Sequence, residues 1–268
     1  MSLFQFSQEE VLTFFAVLVR YSVLFSVLPF IGDKMVYGPL KVVFALVVSI
    51  AMFPALITHH YVNPKDALIW GSQASSIAGT IGLEVLFALA LGFTARLLFD
   101  AIGFGSNLVG NFMGFASANI YDPHQETHTQ VVGEFQMSLA MLIFLALDGH
   151  HLLLKASLDS YRIVPMGSAG FTAIFTQRLT EMTANVVKFA VQLAAPVGLA
   201  IFSVNVAFGV ISRAMPQVNV LVLSFAVTSL VGLVVMLIGL PEFYSGVAGV
   251  FSRFEDWLLA IQYAWVGK

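Results

Sequence analysis

The sequence predicts an all-α, polytopic membrane protein built of helical hairpins, with one broken glycine-rich segment and no sheet. Three observations predict it. Of the 268 residues, 59% are hydrophobic and 10% are charged, whereas a soluble domain carries about 25% charged residues. Mean hydropathy is +0.90. Uncharged stretches also recur at the length a membrane-spanning helix needs, roughly 20 mostly apolar residues. This composition excludes a cytosolic enzyme and a disordered chain. A net charge of −3 leaves no basic excess to hold a nucleic-acid backbone. With no cysteine in the chain, disulfides, thiolate metal sites and cysteine nucleophiles are excluded.

Taken in order, the first helix is expected to start near Ser7, because Ser7 followed three residues later by Glu10 fits a capping box. The stretch lacks the positive start and the cleavage site of a secretory signal. Residues 11–31 are apolar except for Arg20. A second stretch runs from Lys41 to Lys65, broken by Pro54 and His59-His60, and a third from Asp66 to Glu84 is rich in Ser, Gly and Ala. Glu84, Arg96 and Asp100 interrupt the next. Residues 135–147 form a short apolar run. From about residue 184, two long apolar helices are expected around Arg213-Ala-Met-Pro216-Gln217, a plain hairpin. Phe254, Trp257, Leu258 and Ile261 recur at helical spacing beside Arg253, Glu255 and Asp256, which predicts an interfacial C-terminal helix. With six passes and a cytoplasmic N-terminus, Lys65, Lys155, Arg162, Arg178, Arg253 and Lys268 lie inside. Lys34, Lys41, Arg96 and Arg213 then lie outside, a lean toward both ends inside.

The first half is unusual for open lipid. Its spans are short, glycine-containing and charged, and an unpaired polar group in hydrocarbon costs several kcal/mol. Such spans fit a chain surrounded by other protein. Arg20, Glu84, Arg96, Asp100 and Lys188 lie in or beside apolar runs. They read either as structural ion pairs or as part of a transport pathway, with Glu84 the deep candidate. The run from Gly103 to Pro123 carries Gly103, Gly105, Gly110 and Gly114 among Asn107, Asn111 and Asn119. Gly110 and Gly114 form a small-xxx-small pair, which reads as a tight helix crossing. Alternatively, the helix breaks here and lines a cavity, with Phe112, Met113 and Phe115 as a yielding apolar constriction.

Histidines offer less. His124 and His128, near Asp122 and Glu126, stand at helical spacing, but Pro123 marks a turn and further ligands do not declare themselves, so no metal is expected. Asp148-Gly-His150-His151 admits acyl-transfer chemistry only weakly; a helix-ending turn with solvated histidines accounts for it. Walker, dinucleotide, GxSxG and HExxH patterns are absent from the sequence. Neither catalysis nor a cofactor is expected.

Several stretches converge on one family. Arg20 through Pro29-Phe-Ile-Gly, Gly38-Pro39-Leu-Lys41, Gly82-Leu-Glu84 and Leu91-Gly-Phe resemble the FliR family. So do Tyr121-Asp122-Pro123, Leu145-Ala-Leu-Asp-Gly-His150, Ser160-Tyr161 and Val164-Pro165-Met-Gly167. Ala195-Pro196, Gly209 and Arg213-Ala-Met-Pro216-Gln217-Val-Asn219 complete the series, from about residue 15 to 240. The resemblance implies a subunit of the inner-membrane export gate of the bacterial flagellar type III secretion apparatus, with SctT as the injectisome counterpart. It implies an FliP-like part over 1–183 and an FliQ-like hairpin over 184–245, which leaves 246–268 as the interfacial C-terminal helix and tail. It places a plug at about Gly110 to Pro123, so that Gly110, Phe112, Met113, Gly114, Phe115, Ala116, Asn119, Asp122 and Pro123 are the expected pore and plug residues. Arg20, Pro29, Glu84, Arg96, Lys188, Arg213, Pro216, Gln217 and Asn219 are the expected structural and interface residues. The implied partners are FliP, FliQ, the export switch protein FlhB, unfolded secreted proteins and membrane lipid. The alternative is a small-molecule or ion transporter using Glu84, Arg96 and Lys188 near the membrane midplane.

Overall fold

The computed structural model describes residues 7–28, 37–115, 131–168, 170, 172–215, 217 and 219–267. All regular structure among them is helical: α1 Gln8–Val27, α2 Gly38–Thr58, α3 Ala67–Trp70, α4 Ala74–Phe112, α5 Val131–Ala146, α6 Gly149–Ile163, α7 Ala173–Ala214, α8 Val220–Ile238, α9 Leu240–Ser252 and α10 Phe254–Trp265. Among the described residues, α1, α2, α4 and α7 are each long and apolar enough to cross a membrane. The count rises to six if α5 with α6, and α8 with the helices after Gly239, each count as one broken span.

The chain divides into two compact units. The first comprises residues 1–97, 150–182 and 253–268. Its α1 begins as expected: Ser7 Oγ accepts from the Glu10 N–H (3.2 Å) and the Glu10 carboxylate accepts from the Ser7 N–H (2.9 Å). Two of the four unpaired donors at a helix start are thereby satisfied. α1 packs on α2 through edge-on aromatic pairs, Phe14 with Phe53 at 5.4 Å and Phe25 with Phe44 at 5.0 Å. The outer face of α2 leaves Leu40, Val43, Val47 and Ile50 exposed, an apolar surface of the kind that lipid or a partner covers.

α10 closes this unit from the far end of the chain. Phe254, Leu258, Ile261 and Trp265 form its buried face. Trp265 sits edge-on between Phe87 (5.5 Å) and Phe175 (5.3 Å), and its indole N–H donates to the Ser168 carbonyl at 3.2 Å. Of the stripe that sequence spacing assigned to a membrane interface, Phe254, Leu258 and Ile261 are buried in the protein, while Trp257 is half-buried.

The second unit comprises residues 98–149 and 183–252. Phe99, Phe144 and Phe251 pack as a triangle with ring centres 5.0–5.2 Å apart. Val109, Met113, Val132, Ala194, Val197, Ile201 and Met236 form its core. The glycine-rich run differs from the expectation in one respect. α4 stays helical through Gly103, Gly105 and Gly110 as far as Phe112, and the chain leaves the helix only at Met113 and Gly114. The reason at Gly105 is close approach: a β-carbon there would lie 2.8 Å from Leu193 Cδ2 and 2.9 Å from the Ala190 carbonyl oxygen of α7. Gly114 has φ +89, a conformation natural only to glycine.

The helix that leads into the expected hairpin, α7, runs from Ala173 to Ala214. Thr172 caps it, accepting from the Phe175 N–H at 3.1 Å. The exposed Arg178 and Glu181 pair with each other at 3.0 Å, so their charges do not end the helix.

Candidate functional site: a buried ion pair and the apolar end of a long helix

In the first unit, Arg20 on α1 meets Glu84 on α4. Their relative exposures are 2% and 1%. Arg20 Nε donates to Glu84 Oε2 at 2.5 Å and Nη2 donates to Oε1 at 3.0 Å. Nη1 donates to Ser160 Oγ at 3.0 Å, and Nη2 also reaches the Val164 carbonyl at 3.3 Å. The Gly167 N–H donates to Glu84 Oε1 at 2.9 Å. The guanidinium lies over the Tyr161 ring at 3.7 Å and the Phe87 ring at 4.7 Å, placing the cation against two aromatic faces. Burying an ion pair is costly unless its remaining lone pairs and protons are satisfied, and here the carboxylate accepts three hydrogen bonds. The pair thus ties α1, α4, α6 and the loop before α7 together.

Five sequence stretches converge here: Arg20, Gly82-Leu-Glu84, Ser160-Tyr161, Val164 and Gly167. The expected use of Ser160, Tyr161 and Gly167 was not visible in the sequence. Among the described residues, the hydrogen-bond partners of Glu84 are the Arg20 guanidinium and the Gly167 amide. Arg96 stands twelve residues further along the same helix, about 18 Å of rise. It is exposed, as is Lys188 on α7. Glu84 and Arg96 are therefore not brought into one site.

In the second unit, the end of α4 presents the apolar residues singled out by sequence. Gly110 is buried within the helix. Met113 is fully buried, Phe112 is 44% exposed and Phe115 is half-buried. Phe115 packs edge-on against Phe225 of α8, with ring centres 6.1 Å apart. The Met113 carbonyl, one of the helix-end oxygens left without a helical partner, accepts from Thr228 Oγ1 at 3.3 Å. Ala116, Asn119, Asp122 and Pro123 lie outside the described residues, as do Pro29, Pro216, His124, Glu126 and His128.

At the α7–α8 turn, Arg213 is exposed in the last turn of α7 and Gln217 is exposed in the turn itself. Asn219 caps α8, its Oδ1 accepting from the Val222 N–H at 3.4 Å. His150 and His151 are exposed on the first turn of α6, with ring centres 4.1 Å apart and ring planes tilted by 37°. Sequence reading missed Gly198, Phe225, Thr228 and Gly232, which meet the end of α4. The glycines inside otherwise apolar helices were the available signal, since glycine costs a helix about 1 kcal/mol relative to alanine and usually marks close packing.

A chain of long apolar helices, with its deep charge locked in a structural pair, is an integral membrane protein. The model of the family of bacterial export proteins, family 1, matches residues 11–254. The flagellar biosynthetic protein FliR of Buchnera aphidicola subsp. Baizongia pistaciae is 23% identical over 97% of this chain and 99% of that protein. FliR of Escherichia coli K12 is 26% identical over 85% of this chain and 84% of its own length. The Yop proteins translocation protein T of Yersinia pestis is 27% identical over 86% and 87%. The chain belongs to this family of bacterial export proteins, the FliR family. It is a non-catalytic subunit of the flagellar export gate, located in the inner membrane at the basal body and associated with the export apparatus.

Proposed function

We propose that this chain forms one wall of the protein-conducting pore and supplies part of its closure, with Gly110, Phe112, Met113, Gly114 and Phe115 at the start of the plug. The observation that carries this reading is the apolar end of α4, where Phe112, Met113 and Phe115 stand together at a helix terminus. A constriction of apolar side chains excludes water and ions by dewetting. Ala116, Asn119, Asp122 and Pro123 belong to the same plug by resemblance. Residues 1–183 act as the FliP-like part, 184–245 as the FliQ-like hairpin and 246–268 as the C-terminal helix and tail. The partners are copies of FliP and FliQ, with FlhB on the cytoplasmic side, and the cargo is unfolded secreted protein. Pro29, Arg96, Lys188, Arg213, Pro216 and Gln217 contribute to interfaces.

Deleting Phe112 to Ala116 should let ions leak across the inner membrane of resting cells. Unchanged conductance and proton permeability in an assembled gate would remove the plug. Native mass spectrometry of the tagged chain in mild detergent tests the partners. A discrete complex with several copies of two smaller hydrophobic proteins is expected; a lone or homo-oligomeric species counts against the assembly.

A further inference from the structure

We infer that Gly198 of α7 with Phe225, Thr228 and Gly232 of α8 form a seat that positions the end of α4. Phe112 to Phe115 is then the fixed root of the closure. This rests on the gate reading above and names positioning residues within it.

Each of the four consecutive residues Phe112 to Phe115 meets at least one of these groups. A β-carbon at Gly198 would lie 2.9 Å from Phe112 Cε2, so only glycine lets that ring lie against α7. A β-carbon at Gly232 would meet Met113 at Cγ, Sδ and Cε, so the fully buried methionine occupies a notch that only glycine leaves open. Thr228 Oγ1 lies 3.3 Å from the Met113 carbonyl and 3.1 Å from the Phe225 carbonyl, placing its single proton between them. The Phe225 ring lies 3.2 Å from the position of a Gly114 β-carbon and edge-on to Phe115. The chain turns out of the helix at Gly114, with φ +89 and its N–H donating to the Asn111 carbonyl at 3.1 Å.

The chemistry of the seat is shape rather than charge. Two notches take two large side chains, one hydroxyl holds a helix-end carbonyl, and one ring covers the turn. Because one notch lies on α7 and the other three groups on α8, the root holds only while those two helices keep their spacing. The C-terminal hairpin thereby controls where the closure stands.

The test uses a cysteine pair in the assembled gate, and the chain has no cysteine of its own. A β-carbon at Gly232 would touch Met113 Cγ, one bond from the β-carbon of residue 113. That is the spacing of a disulfide, whose β-carbons stand about 3.5–4.5 Å apart. Met113→Cys with Gly232→Cys should therefore oxidise readily, and the locked gate should stay sealed and continue to export. Failure of the disulfide to form, or export blocked on oxidation and restored by reductant, would overturn the inference. Gly232→Val should raise resting conductance severalfold at equal amounts of assembled complex. Gly209→Val on α7, where a β-carbon meets nothing within 4 Å, should not. If Gly232→Val lowers assembly, Thr228→Val keeps the shape and removes only the hydroxyl, and it should leak as well; a tight seal in both variants refutes the seat. A plug deletion that does not leak falls on the gate reading instead, while the disulfide result stands apart from it.

Discussion

Arg20 and Glu84 lie 64 residues apart in sequence and meet side by side, joined by two hydrogen bonds of 2.5 and 3.0 Å. Each is almost completely buried. Every other group that touches the pair is also part of the fold: the Ser160 hydroxyl, the Val164 carbonyl, the Gly167 amide and two aromatic rings.

Removing one partner leaves the other charge buried alone, at a cost of about 3–5 kcal/mol. Arg20→Ala and Glu84→Ala should each lower the yield of assembled gate and the thermal midpoint of the purified protein. Arg20→Met combined with Glu84→Leu should recover much of the loss, because an apolar pair of similar volume leaves no charge unpaired. Single variants that assemble and melt like wild type would show that the pair does not stabilise the fold.

Gly167 holds φ +71 and donates its N–H to Glu84. A side chain in this left-handed region costs roughly 1–2 kcal/mol, and a β-carbon would also lie 3.2 Å from Thr80 Cγ2. Gly167→Ala should lower the melting midpoint. Adding Thr80→Ser removes that methyl group and should recover only the steric part. Full recovery in the double variant would mean that backbone conformation contributes nothing.

Gly103 and Gly105 lie two residues apart on α4 and should respond oppositely to the same change. A β-carbon at Gly105 meets the backbone carbonyl of Ala190 at 2.9 Å, and backbone cannot step aside. Overpacking of this kind costs about 1–3 kcal/mol. At Gly103 the nearest atom is Met137 Sδ at 4.0 Å, so alanine there gains up to about 1 kcal/mol of helix propensity. Chemical denaturation of Gly105→Ala beside Gly103→Ala reads the difference directly, and equal stabilities would argue against the α4–α7 crossing.

Asn219 caps α8 through its side-chain oxygen. Asn219→Ala should cost about 1 kcal/mol, whereas Asn219→Ser should keep most of the cap. Gln217, exposed in the turn, should tolerate alanine. Hydrogen exchange at the first turn of α8 would register the change; equal protection in Asn219→Ala and wild type would exclude the cap.

Composition and spacing by themselves determined much of this protein: an all-helical membrane chain, the capping box at Ser7, the turn before Asn219 and the family. Those properties are local. They depend on hydrophobic periodicity, on residues three or four apart, and on short motifs that survive without knowledge of neighbours. Tertiary structure decided the rest, because the remaining questions concern residues far apart in the chain. Arg20 and Glu84 were legible as intramembrane charges, but which charge satisfies which depends on helices that sequence does not place. The stripe Phe254, Trp257, Leu258 and Ile261 suits a membrane interface as well as a protein core, and only the burial of Phe254, Leu258 and Ile261 in the folded chain distinguishes the two. The glycines of α4 read equally as a break or as a crossing. Their outcome depends on what approaches them: Leu193 and Ala190 make Gly105 a helical crossing point, whereas Gly114, turned to positive φ beneath Phe225, ends the helix.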